Sequence, residues 1–198
     1  MSKRTLLLTV SIVSALLATS SCVLPTPAAA NETRPYPAFG LEDAQPADIA
    51  VVPVRDESET GGAPVGTLRR ELYLGLVERL YSPLDLDYVD VHWVEAGFET
   101  AGLEAGGVLQ VVIQDWDTSL LPTHGALLVS FQAEILDGRR PGAEALWGVQ
   151  AKRRMELANE QVNLSGSALF ERAGEILAGE ILEMIPVREV QASSTPSE

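Results

Sequence analysis

Apolar residues recur along this chain with two different periods. Ile49-Ala50-Val51-Val52-Pro53-Val54 is an unbroken run, the pattern of a strand buried on both faces. Pro53 falls near its end, where a missing ladder donor costs least. Beyond a polar, glycine-containing loop from Arg55 to Pro64, Val65, Leu68, Leu72, Leu76 and Leu80 repeat at helical spacing, widened by Tyr73 and Val77. Arg70, Glu71, Glu78 and Arg79 lie largely off that stripe. This predicts a surface helix packed on a sheet and closed by Ser82-Pro83. From Leu84 to Val94 the chain alternates, but its phase changes. Leu84, Leu86 and Tyr88 oppose Asp85 and Asp87; then Val89, Val91 and Trp93 oppose Asp90 and His92. The expected structure is a turn, a short strand and a brief helical segment up to Leu103.

Gly106-Gly107 opens the clearest strand, Val108 to Ile113. After a loop at Pro122 to Gly125, the residues Leu127, Val129, Phe131, Ala133 and Ile135 alternate with partly polar neighbours, the period of a half-buried strand. Asp137-Gly138 begins a turn and Ala145 to Leu157 returns, giving an antiparallel hairpin with a longer loop. Leu164 to Ile185 carries Ala168, Leu169, Ala173, Ile176, Leu177 and Ile181 at helical spacing, and Pro186 ends it. The order β-α-β-(α)-β-β-β-α predicts the α/β class. We expect a mixed sheet with a C-terminal antiparallel hairpin, packed by two main helices.

The two ends change the picture from a domain to an exported domain. Lys3 and Arg4 precede an apolar stretch, Leu6 to Ala18, broken only by Thr9, Ser11 and Ser14. It is shorter than the roughly 20 residues a spanning helix needs, and it reads as the core of a secretory signal. Cys22, the one cysteine, follows Thr19-Ser20-Ser21 in the manner of a lipobox, although Thr19 stands where leucine is usual. A lone cysteine there serves no internal disulfide, whereas diacylation would supply the two buried chains that stable anchoring requires. The alternative is ordinary cleavage after Ala28-Ala29-Ala30, leaving a soluble periplasmic protein that begins at Asn31. Five of the twelve prolines fall between Cys22 and Pro46, which suggests an extended tether. The expected organisation is a signal peptide over 1–21, a Pro/Ala-rich tether over 22–45, a single α/β domain over 46–190 and a disordered tail over 191–198. Loss of Lys3 and Arg4 takes the formal charge from −14 to −16. So acidic a chain is repelled by polyanions, and nucleic acid is not an expected partner.

Residues able to carry chemistry are few. Asp115-Trp116-Asp117 ends a strand, and His124 lies in the loop after it. Together they are the candidate set for a periplasmic hydrolase or a metal- or small-ligand-binding protein. Acidic residues are usually exposed, however, and we read these two as solvated acids framing a half-buried Trp116. His92 and His124 have no accompanying Glu or Cys at a ligating spacing, and no nucleophile elbow, phosphate loop or dinucleotide fingerprint occurs. No cofactor is implied. Arg139, Arg140, Lys152, Arg153 and Arg154 put five basic residues on one hairpin. They offer either a positive patch for an acidic partner or anionic lipid, or charges that keep strands from pairing edge to edge. Trp116 and Trp147 are expected in the core, while a cleft lined by Trp93, Trp116 or Trp147 would mark a small-ligand module.

The stretch Val108 to Leu157 resembles a family of bacterial envelope lipoproteins found alongside relatives of the curli-secretion channel lipoprotein. The residues that carry the resemblance are Gln114-Asp115-Trp116-Asp117-Thr118-Ser119, Phe131 to Asp137, and Ala145-Leu146-Trp147. Ala47 to Pro53 is similar to that family's first strand. The resemblance implies a sandwich like the N-terminal domain of the TolB translocation protein. It also implies a non-catalytic role in assembling or maintaining an envelope complex, with envelope proteins as partners, including a curli-secretion-channel-like lipoprotein. Aspartate is the usual inner-membrane signal after an anchored cysteine; Val23 stands there instead. The expected location is therefore the periplasmic side of the outer membrane.

Overall fold

The computed structural model describes residues 31–35, 40–95, 103–140, 142, 145–157 and 166–189. The signal stretch, Cys22, Ala28 to Ala30 and residues 191–198 lie outside the described residues. In chain order the elements are β1 (Glu32–Pro35), α1 (Leu41–Ala44), β2 (Asp48–Val51), β3 (Arg55–Asp56), α2 (Val65–Glu78), β4 (Ser82–Pro83) and α3 (Leu86–Glu95). They continue with β5 (Gly107–Asp117), α4 (Leu121–His124), β6 (Ala126–Asp137), β7 (Trp147–Glu156) and α5 (Gly166–Met184). One mixed sheet runs β1-β7-β6-β5-β2-β4, with β3 also paired to β5. β5, β6, β7 and β1 form an antiparallel half, while β2, β4 and β5 are mutually parallel neighbours.

The hairpin follows its alternating sequence closely. Leu127, Val129, Phe131, Ala133 and Ile135 are fully buried on one face of β6. Leu128, Ser130, Gln132 and Glu134 on the other face are partly exposed. β5 keeps Leu109, Val111 and Ile113 on the buried face; a register shift between Ile113 and Asp115 then places Trp116 on that face. Onto it pack α2, through Leu68, Leu72 and Leu76, and α5, through Ala173, Leu177, Ala178 and Ile181. Each such leucine contributes about 1.5–3 kcal/mol through burial. The two helices approach closely because α2 carries Gly75 where a Cβ would collide with Leu182. Trp116 is 2% exposed, and Trp147 packs against the same cluster, so both belong to this core.

The reading of Leu84 to Val94 as turn and strand is overturned: the strand is Ser82–Pro83 and Leu86–Glu95 is a helix. Asp85 makes the difference. Its carboxylate accepts the amides of Asp87 and Tyr88 at 3.0 and 3.1 Å, and its carbonyl accepts that of Val89 at 2.9 Å, as an N-cap does. Val89 and Trp93 then pack on the small cluster on this face of the sheet and Leu86 against the main core, while Tyr88 and His92, one turn apart, stack at 3.9 Å. α3 covers the opposite face of the sheet from α2 and α5, with Val89 packed among Ala50, Val52 and Val108. Two elements also lie within the stretch read as tether, β1 and α1, and β3 lies in the stretch read as the polar loop.

Replacing Gly75 by leucine is expected to force α2 and α5 apart and to destabilise the fold by about 1–3 kcal/mol, the usual cost of overpacking. Urea unfolding followed by far-UV circular dichroism measures it.

Candidate functional site

β2 and β4 are parallel neighbours, but β4 pairs only with Asp48 and Ile49. Past Ile49, no strand among the described residues lies beside the outer side of this path. Two side chains manage that opening. Pro53 has no N–H to leave unpaired, and Arg69 of α2 reaches round the edge so that its Nε donates to the Val51 carbonyl at 3.0 Å. The same guanidinium meets Asp90 of α3, Nη1 to Oδ1, at 2.7 Å. One arginine thus joins helices on opposite faces of the sheet.

Beside this pair lies a cleft of about 720 Å³. Val52 and Gln110 are part of its lining, Trp93 and Val94 enter from the last turns of α3, and Arg55 stands at its rim. Arg69 is 13% exposed and its Nη2 is buried with no hydrogen-bond partner, whereas Asp90 is 50% exposed. Of the tryptophans expected to mark a cleft, Trp93 lines this one; Trp116 and Trp147 are core residues. Arg69 was not singled out in the sequence. Its signal is faint: a charged residue flanking the buried Leu68, opposite a strand that ends in proline.

Asp115, Asp117 and His124 are placed apart from the cleft. Asp115 and Asp117 share the face of β5 that the long helices do not cover, opposite Ser130 and Leu128 of β6. The Asp117 carboxyl accepts the Ser119 amide at 2.8 Å. That bond and the Ser119 hydroxyl hold its pKa below the ordinary value against slight burial, with help from Lys152. His124 is exposed on α4 and shares a hydrogen bond of 2.7 Å with Thr123. No group of three or more His, Cys, Asp or Glu side chains suited to a metal ion occurs among the described residues. Asp56 has a structural task. Burial pushes its pKa up, but the Ser58 hydroxyl and the amides of Ala63, Ser58 and Gly62 bring it below normal. These bonds fold the loop that leads into α2.

The five basic residues of the hairpin do not form one patch. Arg139 and Arg140 sit at the β6–β7 turn, seven residues along β6 from Ser130, the partner of Lys152, or about 24 Å. Arg140 is bound to Asp137 at 2.7 Å. Lys152 and Arg153 point to opposite faces, as neighbours in a strand must. Lys152 stands in a row of side chains from Glu32 through Ser130 to Asp115. Arg153 instead pairs with Glu180 of α5 at 3.3 Å and donates to the Glu32 carbonyl and the Thr33 hydroxyl. It clamps β1 onto β7. Burial raises the pKa of Glu180, and Arg153 opposes the rise. Arg154 is bound to Glu156 at 2.7 Å.

No protein-family model and no curated protein matches this chain. Among solved structures, it is similar to the PelC dodecamer from Paraburkholderia phytofirmans. That match has 14% identity and a TM-score of 0.50, covering 81% of this chain and 99% of that one. It is also similar to lipoprotein GNA1162 from Neisseria meningitidis, at 21% identity and TM-score 0.47 over 70% and 99% of the two chains. The LpoB C-terminal domain from Salmonella enterica follows at 12% identity and TM-score 0.39, over 57% and 84%. Identities this low establish a shared fold with PelC and nothing about shared chemistry.

Two expectations follow. Arg69→Ala should cost about 1–2 kcal/mol, because the Val51 carbonyl and Asp90 both lose a donor, while Asp90→Asn, at a half-exposed site, should cost less than about 1 kcal/mol; denaturant unfolding of both and of the double variant checks this. The pKa of Asp137 is depressed first by the hydrogen bond from Arg140, against the burial of its side chain, with the Arg139 amide and both positive charges adding to the depression. Its contribution to stability is therefore present above the unfolded pKa and is lost as pH falls through the folded one. Arg140→Ala should move the Asp137 titration upward towards the ordinary aspartate value of about 3.9, read by carboxyl-carbon NMR.

Proposed function

We propose that this protein is a lipid-anchored accessory protein on the periplasmic side of the outer membrane. It supports the assembly or maintenance of an envelope complex through protein contacts rather than by catalysis. The observation that carries this reading is the contrast between its charges and its exposed apolar side chains. Asp56, Asp117 and Asp137 are each engaged by residues of their own loop or turn. On the outer side of α2, away from the core, Leu74 and Val77 are 51% and 53% exposed, and Leu80 just beyond the helix is 49% exposed. Grouped apolar side chains of this kind, interspersed with polar neighbours, are what contact surfaces present. The sheet edges are less suited to partners: β4 has two residues, β1 has four, and both end in proline, which discourages strand addition.

Cys22 is the lipidation site in this reading, and no described helix is long and apolar enough to cross a membrane. Because β1 is held at the sheet edge, nine residues separate Cys22 from the first strand residue, Glu32. Ten residue steps reach at most about 36 Å. The domain works close to the membrane that anchors it. The sandwich would be a variant of the TolB N-terminal-like architecture, and the resemblance suggests a curli-secretion-channel-like lipoprotein as partner. The dodecamer of PelC offers a further model, association with copies of itself. Arg139 and Lys152 remain secondary contact candidates; Arg140, Arg153 and Arg154 are occupied by Asp137, Glu180 and Glu156.

Intact mass of the membrane-fraction protein is expected to show a diacylated chain beginning at Cys22. Cys22→Ser should abolish acylation and release the protein from the membrane; a wild-type chain beginning at Asn31 would refute the anchor. A photo-crosslinker at Val77 should capture an envelope protein that one at Asp115 does not, and Leu74→Asp with Val77→Asp should abolish capture while changing stability by no more than about 0.5 kcal/mol per site.

A further inference from the structure

The cleft beside Arg69 stands where the topology favours a ligand. From the carboxyl end of the β2–β3 path the chain enters α2 on one face of the sheet; from β4 it enters α3 on the other. In open α/β sheets, ligands sit in the crevice outside the carboxyl ends of strands whose connections diverge in this way. The cleft's volume, about 720 Å³, lies within the roughly 300–1,000 Å³ of small-molecule sites.

Its lining sets the class of ligand. Val52, Pro53, Trp93 and Val94 supply apolar wall, and Arg55 and Arg69 supply two guanidiniums against the single carboxylate of Asp90. Among the described lining residues the guanidiniums outnumber the carboxylates by one on a chain of formal charge −14, which favours an anion there, since low-dielectric walls strengthen the local field. Arg55 is 64% exposed and paired with Glu57 at 3.6 Å, an ion pair in open solvent that is worth little and can exchange partners. Arg69 has a buried Nη2 with no hydrogen-bond partner, and its Nη1 is held by the half-exposed Asp90, which a ligand carboxylate can displace.

We propose that this cleft binds a small organic acid, its carboxylate held by Arg55 and Arg69 and its apolar body laid against Trp93, Val52 and Pro53. The carboxylate meets two guanidiniums at once, and an apolar body covers wall that water serves poorly. The assignment is independent of the anchor and of the contact surface on α2.

The test is a titration of the purified, isotope-labelled protein with hexanoate, N-acetylphenylalanine and indole-3-acetate, each beside its neutral amide, followed by NMR at the Trp93 indole N–H and the Arg69 Nε–H. At least one acid is expected to give saturable shifts at both positions in the millimolar range, with its amide bound about tenfold more weakly or worse. Arg55→Gln should weaken the acid about tenfold, as loss of a charge-assisted hydrogen bond does. Val94→Glu, at a residue 64% exposed, should abolish binding by placing a like charge at the mouth. Both variants should keep the wild-type thermal midpoint. The proposal is overturned if no acid produces a saturable shift at Trp93 up to about 10 mM. Equal binding of acid and amide, or unchanged binding in both variants, overturns it too.

Discussion

A sheet must satisfy the backbone groups of its outermost strands, and here one outer strand, β4, is only two residues long. The strand it leaves uncovered, β2, therefore needs a donor that is not a strand, and the Arg69 guanidinium is that donor. The solution has consequences beyond the edge. An arginine on α2 that reaches Val51 can also reach Asp90 of α3, so the two helix layers are joined across the sheet rather than only through it. The ion pair is half in water at Asp90 and contributes little by itself. Its value is geometric: it fixes how α3 sits over Val52 and hence how wide the cleft beside Trp93 is.

How much of this was legible in the sequence depended on where each element's partners lie. α2, β6, β7 and α5 were readable because each buries a stripe or an alternating face, and burial imposes its period on the residues. α3 was misread because Leu86, Tyr88, Val89, Val91 and Trp93 satisfy an alternating pattern in two phases as well as a helical one. What decided between them was Asp85 as an N-cap, a single side chain that periodicity does not weigh. β1 was illegible for a different reason. Glu32-Thr33-Arg34-Pro35 is polar and exposed along its length, so nothing in its own composition asks for a sheet. It is a strand because Arg153, more than a hundred residues later, holds it there.

The same contrast governs the charges. Five basic residues close together in sequence suggested one positive patch, but a strand sends successive side chains to opposite faces and spreads its residues along its length. Arg153 became a clamp, Arg140 a turn brace and Lys152 part of a mixed row on the open face. Conversely, Arg69, Asp90 and Trp93 come from two helices and meet only because α2 and α3 diverge from adjacent strands. Trp93 was a candidate from its residue type alone; Arg69 was not, since a charged residue beside a buried stripe is ordinary in any surface helix. Asp115, Asp117 and His124 drew attention by proximity in sequence; the fold puts the two aspartates on one face of β5 and His124 on α4, and Asp117 and His124 bond to Ser119 and Thr123.

The cleft and the apolar surface of α2 are physically connected even though they face different ways. Arg69 belongs to the helix that carries Leu74 and Val77, and it is held at its far end by a half-exposed aspartate rather than by a rigid group. A ligand carboxylate competes with Asp90 for the same guanidinium. Exchanging one carboxylate for another there leaves the Val51 contact in place, because Nε and Nη1 are separate donors. The edge of β2 thus stays closed while α3 loses its tie to α2. Of the two helices, α3 is the one with freedom to respond. Apart from Leu86, which reaches the main core, its packing runs through the small cluster of Ala50, Val52, Val89 and Val108, whereas α2 is locked to α5 through Gly75 and Leu182. Occupancy of the cleft is therefore expressed first in the position of α3, whose exposed Tyr88, Val91 and Val94 form the surface most directly under its control.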